Sequence, residues 1–433
     1  MTVLDTRFAV LPGAIPPAIP PDERSVRFVG DVHSYWWLLI RGALLLLVTL
    51  GIYRFWLTTD IRRFLWSNTE VKRESLEYTG TASELFIGFL IAIAILIPLY
   101  VFFFIISLNL GVFGQVMSVI AFPVLAYLGH IAVYRARRYR LTRTVFRGVR
   151  FHQTGKAWLY AIYAVLWWTI IVLTIGLAYP FAQASLERYK MRNTFYGNLN
   201  GAFVASGFSL FWRGFPMWLL LMAPLAVAIV FPLMTVDWDA VRSVNYSGTS
   251  GEEIIKQMVS RFPELYAAVG MAIIGVTLFA LLAIVLFPMF QAITLRWWAS
   301  GLRFGEVTIT CRLRIAQIYG AYMRFLGYTT LYSLAVAVVI AAVFFGFRAA
   351  IAAGPRSELA EFIVGAVSIM IYVVSMLGYS TIYQATAKLQ IWIRGVESVA
   401  LTNTAGLDLV TAEGSASSAV GEGLADALNV GSF

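Results

Sequence analysis

Residues 84–108 read ELFIGFLIAIAILIPLYVFFFIISL, a stretch in which Glu84 is the only charge. A bilayer's hydrocarbon core is about 30 Å thick and takes about 20 apolar residues to cross as a helix, so this segment places the chain in a membrane. Five others meet the same test: 112–134, 209–235, 264–292, 319–347 and 362–386. Two shorter segments, 35–58 and 157–182, carry breakers near their middles, Thr49-Leu50-Gly51 in one and Thr174-Ile175-Gly176 with Pro180 in the other. Composition agrees: 60% of the 433 residues are hydrophobic and 13% are charged, against about 25% charge in soluble domains. The expected fold is an all-α polytopic membrane protein with six spanning helices and two re-entrant or interfacial segments. Eight spans are the alternative.

The chain repeats itself. Thr49, Gly51, Arg63, Asn68 and Thr69 match Thr174, Gly176, Arg188, Asn193 and Thr194 at one constant offset. A second offset joins Arg63, Thr69, Thr79 and Gly80 to Arg138, Thr144, Thr154 and Gly155, and a third joins Pro180, Arg188 and Gly197 to Pro288, Arg296 and Gly305. Self-similarity at fixed spacing is the signature of a fold assembled from units. The units fall near 26–80, 112–155, 157–207, 264–315 and 362–403, behind a Pro-rich segment at 1–25 and ahead of a tail at 404–433 that reads as flexible and acidic.

Each unit has an apolar helix, a basic aromatic exit such as Arg138-Tyr139-Arg140, and a short polar stretch with strand character. In Val307, Ile309, Cys311 and Leu313 the apolar residues alternate with Thr308, Thr310, Arg312 and Arg314, which is the period of a strand. Short β-hairpins after the helices are expected to assemble into one cytoplasmic cap, because a lone hairpin is marginal in water; separate interfacial loops are the alternative. Charge favours a shared side. If 35–58 and 157–182 dip in and return, roughly 24 Lys and Arg face one side, with the N-terminus, against about five on the other, as the positive-inside rule prefers.

The run Thr49-Leu50-Gly51-Ile52-Tyr53-Arg54-Phe55-Trp56, with Arg63-Phe64 and Asn68-Thr69 behind it, resembles the YjgN family of bacterial inner-membrane proteins. So does Leu173 to Phe181, followed by Glu187-Arg188-Tyr189 and Asn193-Thr194. The resemblance extends over roughly residues 26–400, and this chain has Phe55 where the family pattern has Pro before the first Trp. It implies an inner-membrane location and a multi-pass fold, and it implies no activity.

Groups that carry enzyme chemistry are scarce. His33, His130 and His152 are widely separated, Cys311 stands alone, and no nucleophile elbow, phosphate loop or zinc motif occurs. A non-enzyme without cofactor or metal is expected. The basic residues form no long soluble stripe, so nucleic acid is not an expected partner. Proton- or sodium-coupled transporters keep carboxylates or histidine within their spans, and none of the six segments has Asp or Glu beyond its first residues. Two functions remain. One is passive transport or lipid handling, in which Arg63, Arg138, Arg188 and Arg296 draw anionic headgroups or solutes. The other is a non-transporting scaffold whose basic cap docks protein partners. Gly51, Asn68, Thr69, Thr144, Gly176, Pro180, Asn193, Thr194 and Pro288 are expected to be structural. Homo-oligomerisation is left open.

Overall fold

In the computed structural model, which describes residues 26–109, 111–243, 258, 260–352, 358–414, 416–428 and 430, six helices are long and apolar enough to cross a membrane. They are Ala82–Leu108, Gly114–Thr142, Gly207–Thr235, Pro263–Gly301, Ile315–Arg348 and Phe362–Glu397. They coincide with the six apolar segments of the sequence, and the chain is a polytopic membrane protein. Several run past their apolar stretch: Gly114–Thr142 carries Arg135, Arg137, Arg138 and Arg140 near its end. A helix needs no change of backbone bonding to continue into the interface, where guanidinium groups are solvated.

The first half of the chain comprises β1 (Val26–Phe28), α1 (Val32–Val48), α2 (Arg54–Ser67), β2 (Thr69–Val71), β3 (Glu74–Ser75), β4 (Glu77–Tyr78), α3 (Ala82–Asn109), α4 (Gly111–Thr142), β5 (Thr144–Phe146), β6 (Val149–Gln153), α5 (Ala157–Leu173), α6 (Tyr179–Arg192), β7 (Thr194–Tyr196) and β8 (Leu199–Phe203). Then follow α7 (Gly207–Thr235), α8 (Trp238–Ser243), α9 (Pro263–Gly301), β9 (Leu302–Phe304), β10 (Val307–Cys311), α10 (Ile315–Ala352), α11 (Glu358–Ile382), a π-helical turn (Tyr383–Lys388), α12 (Leu389–Glu397), β11 (Val399–Thr402), a 3-10 turn (Thr404–Leu409) and α13 (Val420–Ala427). The Pro-rich segment 1–25 and a surface helix expected from Gly251 lie outside the described residues.

The segments 35–58 and 157–182 each break into two helices at their Gly-containing turns. The backbone enters the left-handed region at Leu50 (φ 50°) and Gly51 (φ 90°), and again at Ile175 (φ 50°) and Gly176 (φ 87°). Glycine meets that geometry without a Cβ penalty. In both turns a threonine hydroxyl is shared: Thr49 Oγ1 donates to the Leu45 carbonyl and accepts the Tyr53 N–H, while Thr174 Oγ1 donates to Ile170 and accepts from Ala178.

An all-α description does not hold, because the polar stretches build two antiparallel sheets. One has the order β1-β2-β3, the other β11-β10-β9-β8-β7-β6-β5-β4, and the strands wind as a half-barrel. Only Leu76 separates β3 from β4, and its N–H turns back to the Thr69 carbonyl at 3.0 Å. Strands this short carry no core of their own. Each is anchored by the helix that feeds it.

Every helix pair leaves this assembly from one strand and returns to the strand beside it. Strands β1 and β2 flank α1–α2, β4 and β5 flank α3–α4, β6 and β7 flank α5–α6, β8 and β9 flank α7–α9, and β10 and β11 flank α10–α12. At each root a backbone N–H leaving the first strand donates to the carbonyl that ends the returning helix. These bonds are Val29 to Asn68 at 2.9 Å, Thr79 to Arg143 at 2.9 Å, Thr154 to Asn193 at 2.8 Å, Val204 to Gly301 at 2.9 Å and Arg312 to Ser398 at 2.8 Å.

Much of the buried hydrophobic packing lies where helix ends meet the strands. Met191, Phe203, Leu210 and Trp297 pack together, as do Tyr134, Tyr160 and Leu186. Within the spans most side chains face outward, as expected where lipid tails rather than water lie outside.

The tail does not behave as a flexible acidic end. Asp408 pairs with Arg147 at 2.6 Å, the Thr411 N–H donates to Asn198 Oδ1 at 3.2 Å, and α13 inserts between α3 and α4. Asp408, Glu422 and Asp426, which looked solvated in the sequence, have arginine partners in the fold.

Candidate functional site

Arg63, Arg138, Arg188 and Arg296 are carried by α2, α4, α6 and α9, one to each. Two of them serve as backbone clamps. Arg63 donates to the Gly80 carbonyl at 3.0 Å, and Arg138 donates to the carbonyls of Thr154 and Gly155 while its guanidinium lies over the Tyr134 ring. Arg188 is exposed and Arg296 half-buried. Among the described residues these four form no common cluster.

The asparagines and threonines of the repeat end helices. Asn68 and Asn193 donate from Nδ2 to the Phe64 and Tyr189 carbonyls, both at 2.8 Å. Thr69, Thr144 and Thr194 return their hydroxyls to Leu65, Arg140 and Lys190 at 2.7 to 2.9 Å. These side chains occupy carbonyls that a helix end leaves open. Pro180 sits at the start of α6, where its missing N–H costs nothing, and Pro288 is buried within α9.

Charges the sequence motifs did not single out form the more unusual arrangement. On α2, Arg54, Thr58 and Arg62 share one face at helical spacing. Arg62 is buried, donates to Tyr78 Oη at 3.1 Å and pairs with Glu422 of α13. Burial alone would lower its pKa, but Glu422 and Tyr78 outweigh that and hold it above the ordinary arginine value. Arg140 Nε stands 3.9 Å from the same carboxylate, and Arg54 pairs with Asp426.

A second cluster adjoins the first. Glu187 on α6 is buried, pairs with Lys190 one turn along and lies 3.7 Å from Arg137. Burial raises the Glu187 pKa, yet Lys190 and Arg137 bring it below the usual carboxylate value. Lys190 is lowered by burial, with Glu187 opposing. Buried ion pairs are costly to assemble and costlier to break, so these charges define how the ends of α2, α4 and α6 meet.

A third feature is apolar. Helices α1, α10 and α11 enclose a groove of about 690 Å³, lined by Trp36, Ile40 and Leu47 from α1, Tyr328 and Tyr332 from α10, and Val374 from α11, among others. The Trp36 and Tyr328 rings lie 5.9 Å apart. Positions 324, 328, 331 and 332 share one face of α10, which puts the exposed Arg324 one turn from Tyr328 on the side toward β10.

The arginine spacing on α2 was present in the sequence as a signal for the ion pairs with α13. The groove had no such signal, because its walls come from residues hundreds of positions apart.

A family model described as "Bacterial protein of unknown function (DUF898)" matches residues 23–427. The inner membrane protein YjgN of Escherichia coli O157:H7 is 24% identical over 164 residues, a stretch covering 37% of this chain and 38% of that protein. No solved structure matches the chain significantly.

Proposed function

The chain belongs to the DUF898 family of bacterial proteins of unknown function, and from that premise we propose that it is an inner-membrane protein that handles lipid passively, without enzymatic or proton-coupled chemistry. The observation that carries the reading is the groove between α1, α10 and α11. Its apolar, aromatic walls face what would be the bilayer, and Arg324 stands at the end nearer the strands. An acyl chain fits the walls and a headgroup phosphate fits the guanidinium. Carboxylates in the six candidate spans are confined to the terminal positions Glu84, Glu264 and Glu397, so no carboxylate stands within the described spans to act as a relay.

The same proposal includes a topology. The pairs α1–α2 and α5–α6 arose with the others by duplication, but they dip into the bilayer and return. Each begins and ends on neighbouring strands, and α1 and α5, at 17 residues, extend about 25 Å against a core of about 30 Å. All strands and the N-terminus then lie on the cytoplasmic side, where the basic residues belong. The scaffold reading has less support, since Arg54, Arg62 and Arg147 of the basic side that was to dock partners are engaged by the chain's own Asp426, Glu422 and Asp408. Cysteines placed at 72 and 200 should both label from the cytoplasmic side; labelling from opposite faces ends the topology.

The lipid reading is tested with a photoactivatable phospholipid in liposomes. Cross-links are expected at 36–47, 328–332 and 374–382. Ala43 lines the groove, and Ala43→Trp fills it, so labelling should fall about tenfold, the equivalent of ~1.4 kcal/mol. Unchanged labelling in that variant would remove the groove from the function.

A further inference from the structure

Residues 420–428 and Val430 occupy a slot that is basic at one part and apolar at another. Glu422 and Asp426, one helical turn apart on a single face of α13, take Arg62 and Arg54, with Arg140 near Glu422. Leu424, Leu428 and Val430 pack on Ala132 and Ala136 of α4. The backbones approach closely: a Cβ on Gly423 would collide with the Gly88 backbone of α3, and one on Gly421 with Arg135 of α4. This glycine pair admits a thin helix where two membrane spans part.

The fit of charge is less complete than the fit of shape. Glu422 Oε2 and Asp426 Oδ2 are buried and make no hydrogen bond, and 3.9 Å is too long for one between Arg140 and Glu422. Each carboxylate thus bonds its arginine through one oxygen only. A phosphate offers more acceptor oxygens and matches the arginine fork in two-pronged fashion.

We propose that the slot between α2, α3 and α4 is a binding site for an anionic phospholipid, with the phosphate on Arg62, Arg140 and Arg54 and acyl carbon between α3 and α4, and that the C-terminal helix is its resident competitor. The helix has the layout of such a lipid, anionic groups on the arginines and hydrocarbon between the spans. That resemblance, and the slot's position between two candidate membrane helices, select a lipid over a free phosphate. The inference rests on the lipid-handling reading for the class of ligand, but it concerns a different site from the groove.

The experiment uses the full chain in nanodiscs of phosphatidylcholine with a minor fraction of phosphatidylglycerol, and reads retained lipid by native mass spectrometry. Glu422→Gln with Asp426→Asn removes the competing charge at constant shape, and Gly423→Leu expels the helix sterically. A Leu424→Cys reporter shows whether the helix has left, native Cys311 being buried. Expulsion should raise retained phosphatidylglycerol at least fivefold with phosphatidylcholine unchanged, and adding Arg54→Gln and Arg62→Gln should abolish the gain. Three results would overturn the proposal: an exposed position 424 without extra phosphatidylglycerol, a gain indifferent to the arginines, or a gain in inorganic phosphate binding alone. A helix that stays protected in both variants is no competitor and overturns it as well. Ala43→Trp in parallel separates the sites: it should leave the phosphatidylglycerol gain intact, and loss of groove labelling without loss of that gain leaves each reading to stand or fall alone.

Discussion

Glu187→Gln is expected to be the most destabilising single charge substitution in the chain. Its carboxylate pairs with both Lys190 and Arg137, all three are at most about a fifth exposed, and Arg140 lies close enough to Lys190 to oppose it. Removing one member of a buried ionic group strands the others, at a cost of about 3–5 kcal/mol. In a chain of this size that should appear as a fall of about 5 °C or more in the thermal midpoint in detergent, taking about 2 °C per kcal/mol. Neutralising Lys190 as well, with Lys190→Met, should recover part of the loss, because the two effects are coupled rather than additive. The pH dependence has a definite sign. The folded-state pKa of Glu187 lies below its ordinary value of 4.5, so its contribution is fully present above that value and disappears as pH falls through the depressed one. The wild-type chain should therefore lose an increment of stability on acidification below about pH 4 that the Gln variant lacks. A variant with wild-type stability at pH 7 would mean that this cluster is solvated.

What the sequence disclosed and what it withheld divide along the range of the interactions. The six spans were legible because about 20 apolar residues in a row need no partner to be recognised. The turns at Leu50-Gly51 and Ile175-Gly176 were legible because a left-handed glycine leaves a local mark. Pairing of β8 with β9 was not, since it joins residues about a hundred apart through strands of three to five residues. The tail was misread for a related reason. VGEGLADA is a poor helix on propensity, with two glycines in eight residues, and it forms against Gly88, Arg135 and the buried arginines. The repeat pattern also drew attention to Arg63, whereas the buried ion pair belongs to its neighbour Arg62. One residue is about 100° on a helix, enough to exchange a backbone clamp for an ionic anchor.

Trp392→Ala is expected to loosen the junction between the first helix pair and the last. Trp392 on α12 stacks on Trp66 of α2 with ring centroids 5.5 Å apart, and its Nε1–H donates to Thr69 Oγ1 at 3.2 Å. Around them Tyr35, Leu39, Leu57 and Leu65 pack on Ala385 and Leu389, and β1 lies beside β11 at the same junction. Among the described residues no strand pairing connects β1 to β11, so side chains carry the closure there. Truncating a well-packed tryptophan costs about 3–5 kcal/mol; because Trp392 is half-buried, the lower figure applies. Trp66→Ala should cost a similar amount, since Trp66 also donates to Thr144 Oγ1 at 3.0 Å. The double variant should fall short of the sum by about 0.5–1.5 kcal/mol, the coupling expected of an aromatic pair. Urea-titrated proteolysis in detergent supplies all three values. If the junction closes the half-barrel, the single variants should also become susceptible to cleavage near β1 and β11 while α5, α6 and α9 remain protected. Additive losses, or cleavage spread evenly over the chain, would show that the first and last helix pairs are held together by something other than this stack.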